Sequence, residues 1–156
     1  MNTLFITWQR LVDEHGVTCD RCQTTYDQIQ SAIDKLQQAL QPFAIHVKLV
    51  ERKLTRDEFA NDPIQSNRIW IAHKSLEEWL GAQVGETPCC DLCHDSDCRT
   101  IEIDDKVYET IPEELITKAG LIAAAHLLND RENPSSTVAS HSGSCCCSGS
   151  HANQCC

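Results

Sequence analysis

The pattern of apolar and polar positions changes its period several times along the first 60 residues. Residues 3–12 mix β-branched and aromatic side chains, which is typical of a strand. Between Tyr26 and Leu40 apolar residues recur at helical spacing, and residues 44–51 then alternate apolar and polar side chains, as in a half-buried strand. The pattern therefore predicts a β-α-β unit at the start of the chain.

Two helix-capping signatures follow in the middle of the chain. Thr55 is followed three residues later by Glu58, and Ser75 is followed in the same way by Glu78, so each pair predicts the start of a short helix. Residues 67–72, which lie between them, are rich in β-branched and aromatic side chains and predict a third strand. This order of elements indicates an α/β domain.

The sequence patterns typical of helices and strands stop at Gly81 and return near Cys98. We therefore predict a loop-like, cysteine-rich insertion over residues 81–98, followed by a β-hairpin that turns at Asp104 and Asp105. The next apolar segment, EELITKAGLIAAAHLL, begins with acidic residues after a proline, which predicts a final and largely buried helix.

Composition changes again near residue 130. From Asn133 onward the chain has no Asp, Glu, Lys or Arg, and Ser, Gly and Cys dominate, so this part cannot supply a hydrophobic core. We therefore predict two regions, a folded domain over residues 1–130 and a flexible, disordered cysteine-rich tail over residues 131–156.

Charge and hydropathy narrow the classes of partner. The chain has 156 residues and a net charge of −10, so nucleic acids and anionic membrane surfaces would be repelled and we expect neither as a partner. The longest apolar run, LIAAAHLL, is far shorter than the roughly 20 residues of a membrane span. The N-terminus resembles no secretory leader, and we expect a cytoplasmic protein. The sequence leaves the oligomeric state open.

Cysteine is the most informative residue type, with eleven in the chain. Their odd number and the expected reducing compartment argue against a disulfide framework and favour metal binding or thiol redox chemistry. They fall into three groups, and the last group also contains two histidines. The groups are the CxxC pair Cys19 and Cys22; then Cys89, Cys90, Cys93 and Cys98; and then Cys145, Cys146, Cys147, Cys155 and Cys156 with His141 and His151.

The CxxC pair begins the first predicted helix. The positive end of the helix and Arg21 favour the thiolate form there, whereas neighbouring acidic residues oppose it. Cys19 and Cys22 are therefore candidates for a catalytic redox pair or for a metal dithiolate, and half of a structural zinc site is the alternative.

The second and third groups suit a metal ion. A disulfide between the adjacent residues Cys89 and Cys90 would be strained, because adjacent Cα atoms lie about 3.8 Å apart, closer than disulfides prefer. Thiolates bound at about 2.3 Å to one zinc ion meet no such limit. For the second group, structural zinc, recruitment of a soft metal or metalloid, and a thiol relay with the CxxC all stay open. The tail cysteines, separated by Ser and Gly, suit a chelating arm for zinc or Cu(I).

Several short stretches carry a resemblance to a known family. TWQRLV, TCDRC, SNRIWI, LEEWLG, PCCDLC and DCRT closely resemble an uncharacterised family of small prokaryotic cysteine-containing proteins, over residues 1 to about 128. The resemblance implies a thioredoxin-like fold and brings no established activity. Thioredoxins and glutaredoxins place a cis-proline before the third strand, where this chain has QSNRIWI. That departure puts ordinary disulfide exchange in doubt and leaves the CxxC freer to chelate.

Three functions follow from these observations. The first is the binding, trafficking or detoxification of thiophilic ions, with Cu(I), zinc, mercury and As(III) as candidates. The second is a thiol-disulfide oxidoreductase in which Cys19 attacks and Cys22 resolves, with a redox partner protein, or a thiol-dependent reductase of the bound metal or metalloid. The third is an interaction domain without enzymatic activity, stabilised by zinc.

Overall fold

The computed structural model describes residues 2–89, Cys93 and residues 96–132. It begins with the predicted β-α-β unit, which consists of strand β1 (Asn2–Leu11), helix α1 (Asp20–Leu40) and strand β2 (Ile45–Leu54). The two strands are parallel and are paired along their whole length, from Asn2 opposite Ile45 to Leu11 opposite Leu54. The first part of the predicted architecture is confirmed.

A third and a fourth strand complete the first sheet, whose order is β2-β1-β3-β4. Strand β3 is antiparallel to β1, and the short strand β4 is antiparallel to β3. Both predicted short helices are present and each begins with a complete capping box. The elements are α2 (Arg56–Asn61), a 3-10 turn (Pro63–Gln65), β3 (Arg68–Ile71), β4 (Lys74–Ser75) and α3 (Leu76–Leu80).

The predicted loop over residues 81–98 is wrong at both of its ends. Residues Gln83–Pro88 form strand β5, which pairs antiparallel with β6 (Asp97–Ile103), and β6 pairs with β7 (Lys106–Tyr108) in a second sheet. Strand β5 is largely exposed, so its pairing is set by backbone hydrogen bonds to β6 and leaves no apolar alternation in the sequence.

The predicted hairpin is confirmed, and it belongs to this second sheet. Asp104 and Asp105 have φ values of 51° and 62°, the left-handed conformation that a two-residue hairpin turn requires and that Asp tolerates better than most residues.

Helices α1 and α4 (Glu113–Glu132) pack against each other, and both also contact the first sheet. Strand β1 turns Leu4, Ile6 and Trp8 towards this layer, whereas Phe5 points away and is 45% exposed. The helices approach closely at Gly120, where an added Cβ would lie 2.5 Å from Cδ1 of the buried Leu36. The core is therefore a layer of helices on one face of a mixed sheet.

A buried ion pair joins helix α3 to the second sheet. Glu77 of α3 accepts a hydrogen bond from Arg99 of β6, and Arg99 also donates to the carbonyl oxygen of Ile64 at 2.9 Å. The side chain of Arg99 is 4% exposed, and burial lowers its pKa although Glu77 opposes that shift. These contacts hold the strand that carries Cys98 against helix α3 and the 3-10 turn.

Helix α4 continues to Glu132, past the predicted end of the helical pattern at Leu128. The tail prediction concerns residues 133–156, which lie outside the described residues. Among the residues described, no helix has the length and apolar character that a membrane crossing requires.

Candidate thiol site

The loop between β1 and α1 delivers the CxxC to the start of the helix. The Asp13 carboxylate accepts hydrogen bonds from the backbone N–H groups of His15 and Val17, both at 2.8 Å, and these bonds lower the pKa of Asp13. Thr18 then donates to the carbonyl oxygen of Leu11 at 2.9 Å. Cys19 is the N-cap residue of α1, as predicted, and its extended backbone places it at the positive end of a 21-residue helix.

Arg21 ties the helix start to the end of β5. Its guanidinium Nη2 donates to the Thr87 hydroxyl at 3.1 Å and to the Pro88 carbonyl at 3.0 Å, and it lies 3.2 Å from the Glu109 carboxylate. The residue after Pro88 is Cys89. Strand β5 therefore ends beside the CxxC, and the second cysteine group meets the first.

Three sulfurs meet at this junction, those of Cys19, Cys89 and Cys93. The Sγ atoms of Cys19 and Cys89 are 4.0 Å apart, and all three sulfurs lie within 4.8 Å of one another. Sulfurs that share one ion at about 2.3 Å are separated by about 3.8 Å in a tetrahedral site and about 4.0 Å in a trigonal one. The cluster could therefore hold a metal ion after movements of less than about 1 Å.

The cluster is largely shielded from water. Cys19 and Cys93 are 6% and 2% exposed, and Cys89 is half-buried. The backbone N–H of Cys89 donates to Ser96 O at 3.3 Å, and that of Ser96 donates to Cys93 O at 3.1 Å, so the described parts of the connection between β5 and β6 are held together by backbone bonds.

Cys98, on β6, is a fourth thiol at the edge of the cluster. It is 1% exposed, and its sulfur lies 3.4 Å from that of Cys93. Hydrogen bonding with Cys93 lowers the pKa of Cys98 to about 7. Hydrogen bonding to Cys19 and Cys98, together with burial, raises the pKa of Cys93. The two buried thiols are thus in direct contact.

Cys22 faces the core side of the CxxC. It is 2% exposed, and a hydrogen bond to Cys19, together with burial, raises its pKa. Its sulfur lies 3.9 Å from the hydroxyl of Ser66, which accepts a hydrogen bond from the backbone of Leu11. Ser66 is in the stretch before β3 where the resemblance led us to look for a cis-proline, and every peptide bond in the described residues is trans.

The structure thus brings together five of the predicted site residues from two separate groups, Cys19, Cys22, Cys89, Cys93 and Cys98. Two features had no signal in the sequence, the Arg21 contacts and the Ser66 contact, because both depend on residues more than 40 positions away. The remaining candidates lie outside the described residues. They are Cys90, His141, Cys145, Cys146, Cys147, His151, Cys155 and Cys156.

Comparisons with known proteins place the chain among its relatives. It is 38% identical over 113 residues to a protein of Archaeoglobus fulgidus described as an uncharacterized protein, and the alignment covers 72% of this chain and 82% of the relative. No solved structure matches the chain. Residues 4–120 match a family described as a domain of unknown function (DUF2703), and this region includes the whole thiol cluster. The chain therefore belongs to the DUF2703 family.

Proposed function

We propose that Cys19, Cys89 and Cys93 bind one thiophilic metal or metalloid ion, and that the protein binds, traffics or detoxifies such ions in the cytoplasm. The observation that carries the proposal is the convergence of three sulfurs, from two separate parts of the chain, to within 4.8 Å of one another. Two thiols suffice for disulfide exchange, whereas a third sulfur at this spacing suits a three-coordinate or four-coordinate ion.

The sulfur ligands limit which ions the site can bind. Soft thiolate ligands select Cu(I), zinc and similar ions over the hard cations that prefer oxygen ligands. The spacing of 4.0 Å between Cys19 and Cys89 fits a trigonal site as well as a tetrahedral one. Trivalent arsenic and mercury are therefore candidates beside Cu(I) and zinc. The net charge of −10 also favours the approach of a cation.

We propose further that the fold is thioredoxin-like. The proposal is supported by the sheet order β2-β1-β3-β4, by the antiparallel third strand and by the CxxC at the start of α1. The second sheet, β5-β6-β7, would be an addition that brings Cys89, Cys93 and Cys98 to the CxxC. In this family the added sheet would therefore supply the ligands that turn a dithiol into an ion site.

The tail has a supporting role in this proposal. Its five cysteines and two histidines would capture ions and present them to the cluster, because soft ligands spaced by Ser and Gly can wrap around an ion. The tail should raise the number of ions bound per chain without creating the site in the domain.

The test is anaerobic ion loading of the full chain. Protein stripped with a chelator is loaded separately with zinc, Cu(I) and arsenite, and bound ions are counted by elemental analysis after gel filtration. Truncation after Asp130 should lower the count and leave one ion per chain. Cys19→Ser, Cys89→Ser and Cys93→Ser should each remove that last ion, whereas the matched control Cys22→Ser should retain it. A truncated protein that binds no ion, or ligand variants that bind as well as the control, would refute the proposal.

One observation favours a second candidate, the thiol-disulfide oxidoreductase. Cys19 is the N-cap residue of α1, and Cys22 is hydrogen-bonded to it, which is the arrangement of an attacking and a resolving thiol. A reductase assay with a disulfide substrate separates this function from the first. Activity that disappears in Cys19→Ser and survives in Cys89→Ser would favour the oxidoreductase.

A further inference from the structure

A cavity of about 200 Å³ is lined in part by Cys93, a member of the sulfur cluster. Its described apolar lining consists of Leu11 from β1 and of Phe59 and Ala60 from α2. Arg56 and Asp57 also contribute to the lining. Cys93 therefore belongs both to the lining of the cavity and to the sulfur cluster.

Cys98 is a potential disulfide partner of Cys93. The sulfurs of Cys93 and Cys98 are 3.4 Å apart, and a disulfide requires about 2.05 Å, so the two must approach by about 1.4 Å. Rotation about the side-chain bonds can supply most of that distance. The pair is closer than Cys19 and Cys89, which are 4.0 Å apart.

We propose that Cys93 and Cys98 form a redox-active dithiol, distinct from the CxxC, which a small hydroperoxide oxidises to a disulfide through this cavity. The disulfide would remove Cys93 from the ion's ligands, so oxidation would release the ion. The release step rests on the proposed function, whereas the oxidation step does not.

The reaction balances as a two-electron oxidation. The sulfur of Cys93 attacks one oxygen of the hydroperoxide, the O–O bond breaks, and the thiol proton leaves with the departing oxygen as water or an alcohol. The product is a sulfenic acid on Cys93. The sulfur of Cys98 then attacks the sulfur of Cys93, and the hydroxyl leaves as water with the proton of Cys98. Two thiols have lost two electrons and two protons, and the peroxide has gained them.

The size of the cavity selects the oxidant. A volume of about 200 Å³ is several times the roughly 30 Å³ that a water molecule occupies in the liquid, so hydrogen peroxide or a small alkyl hydroperoxide can enter. A peptide disulfide is too large to be enclosed there. Leu11 and Phe59, which are 4% and 5% exposed, provide an apolar wall.

The sequence allows this disulfide to be mapped without ambiguity. Cleavage before aspartate separates Cys93, in residues 91–94, from Cys98, in residues 97–103, and also separates Cys19 from Cys22. The five tail cysteines stay together in the fragment that begins at Asp130. Full-length protein is treated anaerobically with increasing hydrogen peroxide, free thiols are blocked, and the digest is analysed by mass spectrometry without reduction. We expect fragment 91–94 linked to fragment 97–103.

Substitutions test the two steps. In Cys98→Ser the linked fragment should disappear, because the sulfenic acid on Cys93 then has no resolving thiol, whereas the ion-loaded wild-type protein should form the linked fragment and lose its ion after peroxide treatment. Ala60→Phe fills the cavity and should slow formation of the linked fragment about tenfold, because a close-packed side chain then blocks the route. Ala125→Phe, at an exposed position of α4, is the matched control and should not slow it. The cavity variants keep the proposal testable if Cys98→Ser fails to fold.

The outcomes separate this inference from the proposed function. If the linked fragment forms in a protein that binds no ion, the redox dithiol stands and the ion site fails. If the protein binds its ion and peroxide links Cys19 to Cys22, or links no cysteines of the domain, the redox dithiol is overturned and the ion site stands. An unchanged rate of linkage in Ala60→Phe would overturn the proposed route of entry.

Discussion

Replacing Arg21 tests whether the thiol site depends on the contact between the first helix and the second sheet. Arg21 is two residues after the N-cap Cys19, and Pro88, to whose carbonyl oxygen it donates, directly precedes Cys89. The two sulfurs lie 4.0 Å apart only while these two segments stay together. We expect Arg21→Gln and Arg21→Lys to weaken ion binding without removing any ligand.

The size of the effect follows from the contacts of Arg21. Two hydrogen bonds, at 3.1 and 3.0 Å, contribute about 0.5–1.5 kcal/mol each. The ion pair with Glu109 adds little, because that carboxylate is 55% exposed and solvent screens it. Loss of about 2 kcal/mol lowers the fraction of chains with Cys89 in place, and the apparent dissociation constant should rise roughly 30-fold in Arg21→Gln.

Arg21→Lys separates geometry from charge. Lysine keeps the positive charge but cannot reproduce the planar guanidinium fork, so we expect a loss of about tenfold in affinity. The assay is competition between the stripped protein and a chelator of known affinity. Arg52→Gln, an exposed arginine on β2, is the matched control for loss of charge and should bind normally. Full affinity in Arg21→Lys would refute the geometric argument and leave only an electrostatic one.

Three further predictions concern stability, measured by urea unfolding of the stripped, reduced protein. Glu77→Gln removes the carboxylate that pairs with the buried Arg99 and should cost about 3–5 kcal/mol; a loss below about 1 kcal/mol would contradict this account of the contact between α3 and β6. Gly120→Ala forces a Cβ against Leu36 and should destabilise the protein by about 1–2 kcal/mol. The same substitution at a helix position with open space around it would instead stabilise the protein by about 1 kcal/mol. Hydrogen bonds from Ser75 lower the pKa of Glu78 in the folded protein. The ionised Glu78 therefore stabilises the fold above about pH 4.3, the usual pKa of glutamate, and this contribution is lost as the pH falls through the lower pKa of the folded state. Glu78→Gln lacks the ionisable group, so its stability should fall less than that of the wild-type protein below that pH.

The sequence predicts the first sheet and its helices well, because their signals are local. Capping boxes at Thr55 and Ser75 involve residues three positions apart, and the turn at Asp104 and Asp105 requires only two adjacent residues. Strand β5 was missed because its stability comes from pairing with β6 and leaves no alternation in its own exposed residues. Local sequence patterns thus predict individual helices and strands. They do not predict that two strands pair when their sequences lack an apolar alternation.

The same difference between local signals and long-range contacts applies to the thiol site. The number and spacing of the cysteines indicate sulfur chemistry, and the CxxC is correctly placed at a helix start. The meeting of Cys19 with Cys89 could not be read from the sequence, because it depends on the path of β5 and on Arg21. The grouping by sequence distance also separated Cys93 from Cys19, which the fold brings to within 4.8 Å.

The two candidate functions make different demands on Cys22. As a resolving thiol Cys22 would attack a mixed disulfide on Cys19, whereas an ion held by Cys19, Cys89 and Cys93 needs no contribution from it. The sulfurs of Cys93 and Cys98 are 3.4 Å apart, which places a second candidate redox pair beside the ion site. Because Cys93 serves both the ion and the dithiol, the bound ion and the Cys93–Cys98 disulfide are alternative states of one cysteine, and oxidation should release the ion.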